Sequence, residues 1–492
     1  MKLSQTFSSL LGAIVIGAAS TVAADTTVSF DGRTFVNHGL VGFGRINASA
    51  VDSYGETLGG LGSAIALESV QSQGSSYTGK IRLNPDRGHN TQTTTDYRAR
   101  SQTFTFTFDP TKGSATVENI AFKYESTQLY RYAVAGLNYT TGLDPTAVKN
   151  ATFATPPLPV APSDNHVSFD SEGFAFSADG HLQFVSDEYG PYIHILERQT
   201  GIVLTSIRPP DAIVPKDAKG NDNFTAEVNP TTGRTANQGF EGLTLDRKTN
   251  TLWALLQSAT IQDGGSDKTT NRYSRLLAFD VSKVPASAPL VHEYVVPLPQ
   301  SKKLKTRASS ELHIVDSTTF LVLARDGNGF GDTDPGASYK HADLISTKNA
   351  TDIHGTKYDA PANPISPGGT LDASITPTPY ASFVDLVDPA QIGKFGLQTG
   401  GAFDQTLIAS KLESLAVAPS SSADNFLLFV VSDNDFITKN GHQAAQDPKT
   451  GKYVLQDYSD PYAVTNGDAA TQVFIYNVTL PGYSQGSASF PN

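Results

Sequence analysis

Four glutamates recur in similar segments of this chain, and their type and spacing make them the first candidates for chemistry. They are Glu172 in SEGF, Glu241 in FEGL, Glu311 in SELH and Glu413 in LESL, separated by 69, 70 and 102 residues. Each stands at the start of an alternating apolar run that is typical of a β-strand. If the segments are repeats of one fold, the four carboxylates converge, and a group of carboxylates can bind a divalent cation or transfer protons.

Residues 166–190 show the repeated unit most fully. Two short alternating strands flank the turn Ala178-Asp179-Gly180, and Ser186-Asp187-Glu188 follows the second strand. After Glu311 and Glu413, comparable second strands at residues 320–325 and 426–431 are followed by Asp326 and Asp433. We therefore predict a metal site made from acids at the ends of both strands, with these candidate ligands: Glu172, Asp187, Glu188, Glu241, Glu311, Asp326, Glu413 and Asp433.

A ring of carboxylates needs positive charge, because like charges raise one another's pKa and repel. Ca²⁺ suits such a site, since it prefers hard oxygen ligands. Three arginines, Arg82, Arg87 and Arg325, stand beside acids near strand ends and could pair with them or bind an anionic substrate through two hydrogen bonds. The alternative is that the acids only close turns and accept backbone N–H groups between repeats.

Composition and spacing predict an all-β fold. The 42 Gly, 28 Pro, 26 Phe and 19 Tyr suit strands joined by many turns. A period near 70 residues with four strands per repeat predicts a β-propeller of about six blades, one to either side, counting Glu56, residues 104–132 and the four glutamate segments. Residues 471–478 form the strand expected to join the first and last blades.

We expect this propeller to be a single domain over residues 25–492, with loop insertions on one face. The main insertion is residues 327–381, which are rich in Gly, Pro, Asp and Thr. A connection of this length is a candidate for covering or lining a site. Within it, residues 326–334 resemble a calcium-binding loop but lack the EF-hand pattern, so a plain polar loop is the preferred interpretation.

The N-terminus predicts a secretory signal peptide, residues 1–24. Lys2, an apolar run over residues 10–18 and small residues before Asp25 fit this pattern, and the run is shorter than the roughly 20 residues of a spanning helix. Zero Cys excludes thiol catalysis and disulfides. We expect a secreted, extracellular glycoprotein with no membrane contact. The six candidate glycosylation sites are Asn47, Asn138, Asn150, Asn223, Asn349 and Asn477.

The net charge of -12 argues against a nucleic-acid partner, because a polyanion is repelled by such a field. The basic run at residues 302–307 is interpreted as a solvated loop. We expect a small-molecule or phosphoester substrate and a monomeric protein. The GYSQG sequence at residues 482–486 matches a serine-hydrolase elbow, but no His follows it, so we reject it.

The acidic motifs resemble the phytase-like domain family, described as esterase-like activity of phytase, over roughly residues 40 to 440. The segments that carry the resemblance are residues 171–174, 186–193, 237–243 and 85–88. The resemblance implies a β-propeller whose acids hydrolyse phosphoesters. The third and fourth copies lack the Gly after Glu, and Gln257 stands where the first copy has Asp187. The residues implied on this sequence are Asp86, Arg87, Glu172, Asp187, Glu188 and Glu241.

Three functions remain open from the sequence. The first is a secreted, Ca²⁺-dependent phosphoric ester hydrolase, and the second is a non-catalytic extracellular propeller that binds a ligand and uses its acids for stability. A lactonase-like hydrolase with one metal would share the same carboxylates. For the first hypothesis the catalytic candidates are Glu172, Asp187, Glu241 and Arg87, and the substrate-binding candidates are Arg82, Arg87 and Arg325.

Overall fold

The computed structural model describes residues 25–132, 139–149, 156–163, 165–422, 424–447 and 449–483. The predicted signal peptide and the sequons at Asn138 and Asn150 lie outside these residues. Among the helices that the model describes, none has the length and apolar character needed to cross a membrane.

Strands dominate the described residues, which confirms the all-β prediction. The first fourteen are β1 (Thr26–Phe30), β2 (Arg33–Ile46), β3 (Ala64–Gln73), β4 (Ser76–Asn84), β5 (Arg100–Phe108), β6 (Ile120–Leu129), β7 (Arg131–Tyr132), β8 (Thr140–Thr141), β9 (Ala147–Lys149), β10 (Leu158–Val160), β11 (Val167–Ser168), β12 (Ser171–Phe176), β13 (Leu182–Asp187) and β14 (Ile193–Glu197). The next fourteen are β15 (Ile202–Ile207), β16 (Phe240–Asp246), β17 (Thr251–Leu256), β18 (Tyr273–Asp280), β19 (Leu290–Pro297), β20 (Ala308–Ile314), β21 (Thr319–Arg325), β22 (Lys340–Ser346), β23 (Tyr380–Asp385), β24 (Lys411–Pro419), β25 (Asn425–Asp433), β26 (Gly441–Gln446), β27 (Tyr453–Tyr458) and β28 (Thr471–Thr479). Short helices lie at α1 (Pro389–Ile392) and α2 (Pro461–Asn466), with 3₁₀ turns at Lys357–Asp359, Pro367–Gly369 and Gly393–Phe395.

The described residues form five large sheets. The first contains β3 to β6, the second β12 to β15 with β7 at its edge, the third β16 to β19, and the fourth β20 to β23. The fifth has the order β1-β2-β28-β25-β24, so its neighbouring strands β2 and β28 come from opposite ends of the chain. The predicted strand at residues 471–478 therefore lies where N-terminal and C-terminal strands pair. Smaller sheets are formed by β8 to β11 and by β26 with β27.

One edge strand of each large sheet, which we call its first strand, contacts the corresponding strands of the two neighbouring sheets, and these contacts form a cycle. The order is β3, β12, β16, β20, β24 and back to β3. They surround a central cavity of about 70 Å³. Buried apolar clusters fill the space between each pair of successive sheets, including the pair formed by the fifth and the first. Burial of these apolar faces is the main stabilising contribution.

The described residues contain five large sheets, where the sequence predicted about six repeats, one to either side. Glu56 and residues 104–132 were counted as separate repeats, but residues 104–129 contribute to β5 and β6 of the first sheet, and residues 131–132 form β7 at the edge of the second. Glu56 lies in the connection before β3, where its carboxylate accepts hydrogen bonds from Arg98 and from the backbone N–H of Ala444. It therefore opens no strand of its own.

Residues 327–381 are not one insertion, because they contain β22, an inner part of the fourth sheet. The long connection that remains, residues 347–379, packs Ile353, Tyr358 and Ile365 against Val295 of β19. These contacts place it against the outer strand of the third sheet.

Candidate metal centre

A β-bulge lies at the glutamate in three of the first strands. Regular pairing skips Glu172 in β12, Glu241 in β16 and Glu413 in β24. A bulge locally ends the alternation of a strand and re-aims the side chain it contains. Residues of all five first strands line the central cavity, but none of these three glutamates does. At the bulges the three carboxylates thus leave the cavity lining and approach other buried acids.

The glycines in SEG and FEG allow the first strands to approach closely. A Cβ atom on Gly173 would lie 2.3 Å from the carbonyl oxygen of Glu241, and one on Gly242 would lie 2.4 Å from the backbone nitrogen of Leu312. Both distances are far below van der Waals contact. Glycine is therefore required after these two glutamates for packing against the next sheet.

Three buried acids form what we call the first acidic group: Asp170, Glu172 and Glu188. One carboxylate oxygen of each lies within 4.8 Å of the others, and their exposed fractions are 2%, 6% and 2%. Among the described residues, Oε2 of Glu172 and Oε1 of Glu188 have no hydrogen-bond partner. Buried polar atoms without partners are rare in proteins, so these oxygens point to an ionic ligand.

Glu241 adjoins the first acidic group. Its Oε1 atom accepts a hydrogen bond from the Gln257 side chain, whereas its buried Oε2 atom has no partner. The strand pairing corrects the position of Gln257: it corresponds to Glu188, because its backbone N–H donates to Gly239 as that of Glu188 donates to Asp170, whereas Leu256 corresponds to Asp187. Gln257 contacts Glu241 without adding charge.

Burial and mutual repulsion raise the pKa values of these carboxyl groups. Burial, followed by repulsion from Asp170, raises the pKa of Glu188 to about 8. Burial raises the pKa of Asp170 to about 6 although the Arg87 guanidinium opposes the shift. The pKa values of Glu172 and Glu241 also lie well above the usual range, first because of burial and then because of neighbouring glutamates. A bound cation would oppose all of these shifts.

The residues present fit a hard divalent cation such as Ca²⁺. Every available donor is a carboxylate oxygen, and several of them are unpartnered, which suits Ca²⁺, Mg²⁺ or Mn²⁺ and not a metal that prefers nitrogen or sulfur. Asp170, Glu172 and Glu188 would hold the ion, with Glu241 as the adjoining acid.

Arg87 is the basic side chain next to the first acidic group. Its Nη1 atom lies 3.3 Å from Oδ2 of Asp170, and its guanidinium stands 5.6 Å from the centre of the Tyr189 ring. Its Nε atom has no hydrogen-bond partner, and 15% of the side chain is exposed. Arg87 can therefore donate to an anionic group that enters beside the acids.

A second acidic group, Asp86, Asp433 and Asp435, has the same compactness but contains an amine. The Nζ atom of Lys411 bonds Asp433 and lies 2.8 Å from Asp435 and 4.0 Å from Asp86. It also lies 3.6 Å from Glu413, which in turn bonds Arg325. Of the acids predicted from the sequence, Glu413 and Asp433 thus belong to the part of the site that contains Lys411 and Arg325.

Asp187 lies beside the first acidic group but is fully engaged. Its Oδ1 atom accepts hydrogen bonds from the backbone N–H groups of Asp170 and Tyr189, each at 3.0 Å. Its Oδ2 atom lies 3.3 Å from Nε2 of His194. The geometry favours a positioning role over the catalytic or ligand role predicted for Asp187.

Glu311 is separated from the other glutamates. The pairing irregularity in β20 falls at Ser310, and Glu311 itself pairs with Leu323. Its Oε1 atom accepts the backbone N–H groups of Leu312 at 2.8 Å and Leu243 at 3.1 Å, and it lines the central cavity. It joins neighbouring first strands and does not contribute to either acidic group.

Asp326 and Arg82 also have local structural partners. Asp326 accepts hydrogen bonds from the backbone N–H groups of Ser338 and Tyr339 and lies 3.3 Å from the Lys340 amine. Arg82 lies 2.8 Å from Glu68 and contacts glutamines of β6 and β13. Neither residue bonds a member of the first acidic group in the described contacts.

Sequence reasoning missed Asp170, Lys411 and Asp435 as site residues. Asp170 and Lys411 each stand two residues before a recurrent glutamate, and Asp435 stands two residues after Asp433. This spacing of two residues from a recurrent acid is the sequence signal that could have identified all three residues.

The described sequons differ in accessibility. Asn47 and Asn349 are exposed, and Asn223 is half-buried. Asn477 lies in β28, which pairs with β2 on one side and β25 on the other, and its Oδ1 atom is buried without a partner.

Comparisons with known proteins identify related sequences. A family model described as phytase-like, esterase-like activity of phytase, matches residues 67–436. A fungal protein of Arthroderma benhamiae, described as an uncharacterized secreted protein, is 36% identical over 461 residues, which cover 83% of this chain and 89% of the relative. The periplasmic gluconolactonase of Pseudomonas aeruginosa matches with 12% identity and a TM-score of 0.27, covering 82% of this chain and 86% of that structure. Hydrazine synthase of Kuenenia stuttgartiensis matches with 11% identity and a TM-score of 0.26, covering 80% and 81%. TM-scores of this size do not establish a shared fold.

Proposed function

Because the chain belongs to the phytase-like family, described as esterase-like activity of phytase, we propose that it is a secreted, metal-dependent hydrolase of phosphoric esters. One observation carries the proposal beyond the family description. Three buried carboxylate oxygens, on Glu172, Glu188 and Glu241, have no hydrogen-bond partner in the part of the chain that the structure describes, and their site also contains Arg87. This arrangement suits a cation and an anionic substrate together.

Each residue has a distinct proposed role. Asp170, Glu172 and Glu188 hold the cation, for which we propose Ca²⁺. A divalent cation bound there would polarise the phosphate and offset its charge. Arg87 binds a phosphate oxygen through its unpartnered Nε atom. Glu241, oriented by Gln257, exchanges a proton at Oε2 with the attacking water or the leaving oxygen.

The fold we propose for this activity is a five-bladed β-propeller. The cyclic contacts among β3, β12, β16, β20 and β24 support it, as does the pairing of β2 with β28, which would close the ring with strands from both ends of the chain. In this fold the acidic groups lie at one end of the central cavity.

We propose that the protein is a monomeric, extracellular glycoprotein that acts on small molecules and not on nucleic acid. The secreted relative and the N-terminal sequence support export. The exposed sequons at Asn47 and Asn349 are the preferred glycosylation sites.

The test is hydrolysis of three chromogenic esters by the secreted protein: a nitrophenyl phosphomonoester, a bis-nitrophenyl phosphodiester and a nitrophenyl carboxylate. We expect turnover of a phosphoester with Ca²⁺ and its loss with chelator. Glu188→Gln should lower the rate at least tenfold, while Glu227→Gln, at an exposed position, should leave it unchanged. Inactivity toward all three esters would contradict the proposal, and Ca²⁺ binding without turnover would favour a non-catalytic binding module.

A further inference from the structure

Lys411 stands in its repeat where Asp170 stands in another. Each precedes the recurrent glutamate of its sheet by two residues, Asp170 before Glu172 and Lys411 before Glu413. The second strand of each sheet ends in an aspartate, Asp187 or Asp433, that contacts this region. Two related repeats therefore present acids to the same site, but one supplies an ammonium where the other supplies a carboxylate.

The ammonium of Lys411 is surrounded by four carboxylates. Asp433 and Asp435 bond it directly, and Glu413 and Asp86 lie 3.6 Å and 4.0 Å away. Three of these acids, those of the second acidic group, place carboxylate oxygens within 4.8 Å of one another, as the first acidic group does. Such spacing lets one ion contact all three at the 2.3–2.6 Å typical of Ca²⁺.

The first acidic group has no comparable internal charge. Arg87 contacts Asp170, but Oε2 of Glu172 and Oε1 of Glu188 have no partner although both residues are more than nine-tenths buried. The two groups therefore differ in their internal charge. The Lys411 ammonium lies among the acids of the second group, whereas no side-chain amine lies among the described acids of the first.

We propose that the site is built for two cations and that the Lys411 ammonium permanently occupies the second position. The inference rests on the proposed cation site in the first acidic group. The protein then binds one divalent cation, and its activity depends on Ca²⁺ concentration without cooperativity. Removal of the amine converts Asp86, Asp433 and Asp435 into a second divalent-cation site.

The test is the number of Ca²⁺ ions bound per chain, measured by isothermal titration calorimetry on the full secreted protein. We expect one ion for the wild type, two for Lys411→Ala and one for Lys411→Arg, which keeps a positive charge. Adding Asp433→Asn to Lys411→Ala should return the number to one. The same number for the wild type and Lys411→Ala would overturn the inference.

The two proposals fail in different ways. One ion in both the wild type and Lys411→Ala removes the inference about Lys411 and leaves the proposed function intact. No ion in the wild type but one in Lys411→Ala removes the proposed metal centre and also overturns the two-cation inference that rests on it. Thermal unfolding covers the case in which the variant is unstable without metal, because its melting temperature should rise more with Ca²⁺ than that of the wild type. An equal or smaller rise would contradict the inference.

Discussion

The backbone N–H of Asp170 donates a 3.0 Å hydrogen bond to Oδ1 of Asp187. Through this bond Asp187, whose two carboxylate oxygens are both engaged, holds the backbone of Asp170, a candidate metal ligand. The same carboxylate also accepts the N–H of Tyr189 and contacts His194, so it connects the acidic site to the buried interior of the second sheet. Asp187 thus determines where the Asp170 carboxylate lies.

Replacing Asp187 should therefore affect both stability and cation binding. Asp187→Ala leaves buried donors without an acceptor, which should lower the free energy of unfolding by about 1–3 kcal/mol and weaken Ca²⁺ binding. Asp187→Asn keeps an oxygen that can accept the backbone N–H groups, so it should lose less stability and less Ca²⁺ affinity than Asp187→Ala. Urea unfolding and calorimetry measure the two effects. Unchanged Ca²⁺ affinity in Asp187→Ala would show that the residue does not position Asp170.

Ca²⁺ should stabilise the protein through the first acidic group. At a concentration 100 times the dissociation constant, one site adds about 2.7 kcal/mol to the free energy of unfolding. Glu172→Gln should reduce this gain, because it removes one carboxylate charge from the ligands, whereas Glu227→Gln should retain it. Thermal unfolding with Ca²⁺ and with chelator makes the comparison. A full gain in Glu172→Gln would be inconsistent with the assigned ligands.

His313 should make stability depend on pH on the acidic side. Burial lowers the pKa of His313 to about 4, below the usual value of about 6.5, and its Nε2 atom has no partner. The unfolded chain therefore takes up this proton first as the pH falls. The contribution of His313 is fully present above about pH 6.5 and is lost toward pH 4, by at most about 3 kcal/mol.

The measurement is urea unfolding of the wild type and His313→Gln between pH 4 and 7. The variant should show a flatter loss of stability across this range, because it has no imidazole to protonate. His181→Gln, at an exposed position, is the control and should follow the wild type. Parallel profiles for the wild type and His313→Gln would refute the prediction.

Gly173 should resist substitution even by alanine. The added Cβ would lie 2.3 Å from the carbonyl oxygen of Glu241, so the second and third sheets must separate at the site. Gly173→Ala should cost about 1–3 kcal/mol of stability and weaken Ca²⁺ binding. Gly327→Ala is the matched control, since nothing lies within 4 Å of its added Cβ. Wild-type stability in Gly173→Ala would contradict the packing argument.

The recurrent glutamates and the alternating runs after them predicted the strands β12, β16, β20 and β24. Glu172 and Glu241 lie close to Glu188. Spacing alone could not separate Glu311 from them, because the outcome depends on where the bulge falls. In β20 it falls at Ser310, one residue before the glutamate, and a shift of one residue reverses the face that a side chain occupies.

Contacts between distant segments account for the other differences. Arg82 is close in sequence to Arg87, but it pairs with Glu68 across β3 and β4 and not with the acidic site. Lys411 begins β24, and no local pattern indicates that its amine lies among acids from residues 86, 413, 433 and 435. Such pairings depend on which sheets become neighbours, which local patterns do not specify.

The most direct test of the metal centre is a crystal structure of the wild-type protein grown with Ca²⁺ and measured with long-wavelength X-rays to locate calcium by its anomalous signal. The account predicts one peak at 2.3–2.6 Å from carboxylate oxygens of Asp170, Glu172 and Glu188, with the Lys411 amine still among Asp86, Asp433 and Asp435. A calcium peak at the second acidic group, or none at the first, would contradict it.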